Sequence, residues 1–139
     1  MFARGLGMMS VYWGRVVIGA FLLEVVLSAV LLPVRLVSIT AFLVAVPIGA
    51  FVFGYVVTRL MLRKVTRSVW LNAILLAIFA TMIYLAIVMA SPGGLRSAVG
   101  IYGGPLLVFS NAMRIAGCLA VGFQIQGHGK AATSAVRST

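Results

Sequence analysis

Residues 20–33, "AFLLEVVLSAVLLP", carry a single charge in an apolar run, and that charge is Glu24, the only acidic residue among 139. A run of this kind either fills a soluble core or crosses lipid, and the rest of the chain decides which. Hydrophobic residues make up 63% of the sequence and charged residues 9%, with a mean hydropathy of +1.21. A soluble chain of this length needs far more polar surface to cover its core. The sequence therefore reads as an all-α integral membrane protein.

Crossing a bilayer takes about 20 apolar residues, each rising about 1.5 Å along a helix. Four stretches are long enough: 16–32, 36–58, 69–89 and 105–123. Pro33, Val34 and Arg35 are expected to turn the first into the second. "RLMLRKVTRS" from Arg59 joins the second to the third, and "ASPGGLRSAVGIYGG" from Ala90 joins the third to the fourth. The expected fold is a four-transmembrane-helix bundle of two antiparallel hairpins, a single domain over 1–126. After Gln126, "GHGKAATSAVRST" is small and polar and reads as a flexible cytoplasmic tail. The first stretch is read as a retained helix, since it contains Glu24 and lacks a small-x-small cleavage pattern.

The net charge of +10 would suggest nucleic acid in a soluble protein, but here the positions matter more than the sum. Arg4, Arg15, Arg59, Arg63, Lys64, Arg67, Lys130 and Arg137 fall on the side of both termini, against Arg35 and Arg96 opposite. By the positive-inside rule both termini are expected in the cytoplasm, with the chain multi-pass in a plasma or inner membrane. Trp13, Trp70 and Tyr12 lie near that same face, where amphipathic rings favour the headgroup level. Arg59, Arg63, Lys64 and Arg67 have the spacing of one face of a short helical extension, suited to anionic lipid headgroups at about 1 kcal/mol per residue. Ordinary topology accounts for these charges, and no nucleic-acid partner is expected.

Arg114 is the one base left inside a span. Glu24 and Arg114 each fall at the middle of their stretch, so the two opposite charges share one depth. An unpaired ion at that depth costs about 2.5–3.5 kcal/mol on insertion scales. Ala20, Glu24 and Ser28 follow one helical line, and Ser110, Arg114 and Cys118 another, flanked by Asn111 and Gly117. Small and polar residues of this kind suit close helix packing in membranes. The first and fourth spans are therefore expected to touch along these lines, with Glu24 and Arg114 paired. Pro47, central in the second span, removes the hydrogen bond to the Leu43 carbonyl and should kink the helix. The freed carbonyl, or Thr40 nearby, is expected to take a donor from Arg114. In the third span Ala73, Ala77, Ala80, Thr81 and Tyr84 form a stripe read as packing.

Little here suggests catalysis. General acid–base chemistry needs convergent titratable groups and nucleophilic chemistry a base beside the nucleophile, and one buried acid supplies neither. His128, the only histidine, lies beyond the spans, which leaves no histidine inside the membrane for haem or zinc. No catalytic residue, metal or cofactor is expected. The glycines of the 90–104 loop lack a following GK[ST] and so do not form a phosphate cradle; a flexible turn or a re-entrant segment over the bundle mouth is the plainer reading. Cys118, a lone cysteine, reads as a small buried hydrophobe. The favoured role is a noncatalytic accessory, scaffold or interaction protein, with a membrane-protein partner or a second copy as company. The alternative is a small ion- or solute-translocating protein that uses Glu24 and Arg114.

Overall fold

The computed structural model describes residues 11–137, with side chains as far as His128. Arg4 and the side chains of Lys130 and Arg137 lie outside the described residues. Among those described there are five helices and no strands: α1 Trp13–Val37, α2 Ile39–Leu62, α3 Val69–Ala90, α4 Gly94–Tyr102 and α5 Gly104–Arg137. Four of them are long and apolar enough to cross a membrane, α5 through its Gly104–His128 part. Large apolar side chains such as Ile18, Phe21, Ile48, Ile78 and Val108 point outward, as lipid-facing surfaces require.

Each long helix exceeds the length expected from the sequence. α1 runs past Pro33, and a single residue, Ser38, separates it from α2. The expected turn at Pro33, Val34 and Arg35 is thus displaced. The physical reason is the cap: the Ser38 hydroxyl accepts the Ala41 N–H at 3.2 Å, and the Ser38 N–H donates to the Val34 carbonyl at 2.9 Å. Pro33 removes only one bond, near the end of α1, and is exposed. Pro47 lies buried within α2, which continues through it to Leu62. Helix α5 likewise passes Phe123 into the segment read as a flexible tail and ends at Arg137.

The linker from Arg63 departs from the expected helical extension. Residues 63–68 form an irregular turn, pinned by the buried Val65, whose N–H donates to the Leu62 carbonyl at 2.9 Å. Arg59, Arg63, Lys64 and Arg67 are all exposed. Helix α4, read as a turn or re-entrant segment, is bounded by glycines in the left-handed region, Gly93 at φ 80° and Gly103 at φ 73°, a conformation that favours glycine.

Helix α1 packs against α2 and α3, and α5 packs against the same two. The tightest approach is between α2 and α5, where Gly54 and Gly117 remove the side chains that would hold the backbones apart. A Cβ on Gly117 would stand 2.3 Å from the Phe51 carbonyl oxygen, and one on Gly54 would stand 2.9 Å from that of Arg114. The Cys118 thiol faces the Gly54 carbonyl at 3.8 Å. The expected direct packing of α1 on α5 is corrected here: the small residues beside Arg114 serve α2 instead.

Val16, Ala20, Leu23, Leu76, Ala77, Ala80, Val57 and Cys118 fill the interior toward the start of α1. Polar contacts tie that end together. Arg15 Nη1 donates to the Met61 carbonyl at 3.0 Å, the Tyr12 N–H donates to Asn72 Oδ1 at 2.8 Å, and the Tyr55 hydroxyl donates to Gln124 Oε1. The other end is hollow.

Candidate functional site

Glu24 projects from α1 and Arg114 from α5, so the two meet across the interior by the reach of their side chains rather than by helix contact. Arg114 Nη1 lies 3.1 Å from Glu24 Oε1, and the two residues are 6% and 5% exposed. The same nitrogen donates to Asn111 Oδ1 at 3.3 Å, while Asn111 Nδ2 donates to the Leu107 carbonyl at 2.9 Å and so holds the amide in place. The ring of Tyr84, from α3, lies under the guanidinium with its centroid 4.5 Å from Cζ. At a site that borders a cavity a cation over a ring is worth about 1 kcal/mol. Arg114 makes no hydrogen bond to the Leu43 carbonyl or to Thr40, which is exposed; Tyr84 fills the place expected for them.

The pair is not saturated. Glu24 Oε1 and Arg114 Nε are buried without a hydrogen-bond partner, so the 3.1 Å contact is an ion pair whose N–H is not aimed at the oxygen. Buried polar groups in this condition call for a donor and an acceptor from elsewhere.

A cavity of about 530 Å³ reaches the pair from the end where α1 turns into α2. Its floor is Glu24, Arg114, Ser110 and Tyr84. Its walls are apolar, including Leu27, Leu31, Val46 and Ile87, with Ser28 exposed to the space. The Ser110 hydroxyl donates back to the Leu106 carbonyl at 2.8 Å. Helix α4 borders the mouth with Ser97, Ala98, Ile101 and Tyr102. Across from it stand Arg35 and Phe42, the guanidinium 6.0 Å from the Phe42 ring and that ring 5.6 Å from Tyr102. Burial pushes the Tyr102 phenol up, against the opposing pull of Arg35, so the phenol is neutral near pH 7.

The residues singled out in the sequence thus divide. Glu24, Arg114, Ser28, Ser110 and Asn111 gather at the cavity floor or beside it, whereas Pro47 is buried in α2 outside the lining. Arg59, Arg63, Lys64 and Arg67 are remote, around the end of α2. Tyr84, Arg35 and Tyr102 belong to the site and were read only as packing, as a topology charge and as part of a loop. The one signal for Arg35 was its position as one of two bases on the side opposite the termini. Fold and site define an all-helical protein with four helices long and apolar enough to cross a membrane and a cavity ending on a buried ion pair. No protein family, curated protein or solved structure matches the chain.

Proposed function

We propose that the chain is a small noncatalytic multi-pass protein that binds a solute in the cavity at Glu24 and Arg114 and passes it across a plasma or inner membrane. In this reading the four long helices form a bundle of two antiparallel hairpins with both termini cytoplasmic, as the basic residues around Arg59–Arg67 favour. The cavity then opens to the opposite side. The observation that carries the proposal is the space of about 530 Å³ whose lining joins apolar walls to the Glu24 carboxylate and the Arg114 guanidinium. Ligand sites have this form, apolar walls with a few convergent polar groups. Beyond the pair, Leu23, Leu76 and Cys118 are fully buried and seal the path. Passage requires that seal to open while the cavity mouth closes.

An accessory or scaffold role is the second reading, favoured by the 3.1 Å ion pair itself, which can serve purely to let two charges enter the membrane. Solute binding separates the two. In nanodiscs of zwitterionic lipid, 4-butylbenzamide should bind the full chain saturably by saturation-transfer NMR, with empty discs as the blank. Ser28→Trp, which fills the cavity from an exposed position, should abolish it. Binding no greater than to empty discs would return the chain to the accessory role.

A further inference from the structure

We propose that the cavity selects an amphipathic monoanion, a small molecule with an apolar body and one negative group, and that Arg35 at the mouth sets this charge preference. The proposal rests on the cavity being a solute site and deepens that reading.

The lining contains two guanidiniums, Arg35 and Arg114, and one carboxylate, Glu24. Glu24 is the only Asp or Glu in the chain and is held 3.1 Å from Arg114. No side-chain carboxylate remains to neutralise Arg35. Its neighbours at the mouth are the rings of Phe42 and Tyr102, which face a cation without cancelling its charge. The cavity therefore carries one positive charge in excess. Apolar walls such as Leu27, Leu31, Val46 and Ile87 confine the field and strengthen it relative to open water.

A ligand must also satisfy the walls and the floor. The walls offer nothing to a bare hydrated ion, whose water would have to be stripped without replacement. An apolar body fits them, and a volume of about 530 Å³ is that of a small organic molecule. At the floor, Glu24 and Arg114 line the cavity as a paired carboxylate and guanidinium without net charge, a combination that suits a hydroxyl or amide better than a second charge. The negative group then belongs near Arg35, with the body pointing inward. An organic cation meets Arg35 first and is repelled. A soluble amphipathic carboxylate or sulfonate meets these requirements, and so does an anionic lipid whose headgroup rests at the mouth.

Three probes of nearly one shape test this: 4-butylbenzoate, 4-butylbenzamide and 4-butylbenzamidinium, titrated against the full chain in zwitterionic nanodiscs. Arg35 is exposed, so one charge there is worth about a factor of five. The benzoate should bind about fivefold tighter than the benzamide, and the benzamidinium weakest. Arg35→Gln should remove the benzoate's advantage, while Arg96→Gln, on an exposed part of α4 outside the lining, should leave it intact. Equal affinity for the three probes, a preference for the amidinium, or an advantage unchanged in Arg35→Gln would overturn the proposal while leaving the cavity reading in place. Failure of all three to bind would overturn both. Phosphatidylglycerol added to the discs assigns the source: displacement of the benzoate marks a lipid headgroup as the ligand, and undisturbed binding marks a soluble anion. Either result upholds the charge preference.

Discussion

Replacing Glu24 by Gln leaves the Arg114 guanidinium as an unpaired ion in the membrane interior. Insertion scales put that cost at about 2.5–3.5 kcal/mol. Arg114 keeps Asn111 and the Tyr84 ring, so we expect Glu24→Gln to destabilise by the lower part of that range, about 2.5 kcal/mol. Arg114→Gln strands the carboxylate and also gives up the contact with Tyr84, which adds about 1 kcal/mol, for a total of about 3.5 kcal/mol. The double variant places two amides opposite one another, able to hydrogen-bond without charge, and should lie within about 2 kcal/mol of the wild type. The recovery relative to additivity is then at least about 4 kcal/mol, within the range measured for close charge pairs. Reversible unfolding of the four proteins in mixed micelles at graded SDS measures each quantity. A double variant as unstable as the two single changes summed, or single changes within about 0.5 kcal/mol of wild type, would refute the pairing argument.

Other expectations follow from particular contacts. Gly117→Ala drives a Cβ to 2.3 Å from the Phe51 carbonyl oxygen, which is backbone and cannot turn aside; it should destabilise by about 1–3 kcal/mol in the same unfolding assay, while Gly14→Ala, with nothing within 4 Å, should be neutral. Tyr84→Phe keeps the ring under Arg114 and should leave stability within about 0.5 kcal/mol, whereas Tyr84→Leu should lose about 1 kcal/mol or more; equal effects would remove the ring contact from the account. Changing both Arg63 and Lys64 to Gln should lower the anionic lipid retained through purification, read by native mass spectrometry, as about 1 kcal/mol per basic residue implies; unchanged retention would argue against headgroup contact there.

The four long helices were legible because about 20 apolar residues leave few other solutions, and the pairing of Glu24 with Arg114 was legible because stranding either is so costly. What surrounds the pair was less so. Gly117 and Cys118 signal close packing, but one sequence does not say which helix approaches, and α2 rather than α1 brings the complementary Gly54. The Leu43 carbonyl left by Pro47 looked like the natural acceptor for a spare guanidinium donor, yet an aromatic face serves a cation as well, and Tyr84 has the position. Pro33 misplaced the first turn because a proline near a helix end loses one bond, while the serine cap at Ser38 supplies another. The cavity had no sequence signal at all. It arises from the space left between side chains on all five helices.

That cavity is the central claim, and thiol labelling tests it most directly. With Cys118 replaced by Ala, Ser28→Cys and Ser110→Cys place thiols on the cavity lining, and Ala73→Cys places one in the buried cluster with Leu62, Val65 and Val69, away from the path, as the control. A membrane-impermeant methanethiosulfonate added to proteoliposomes should modify the first two, faster from one side than from the other, and should leave the third unmodified until the protein is unfolded. Protection of all three, or modification of all three alike, would contradict a cavity that reaches Glu24 and Arg114.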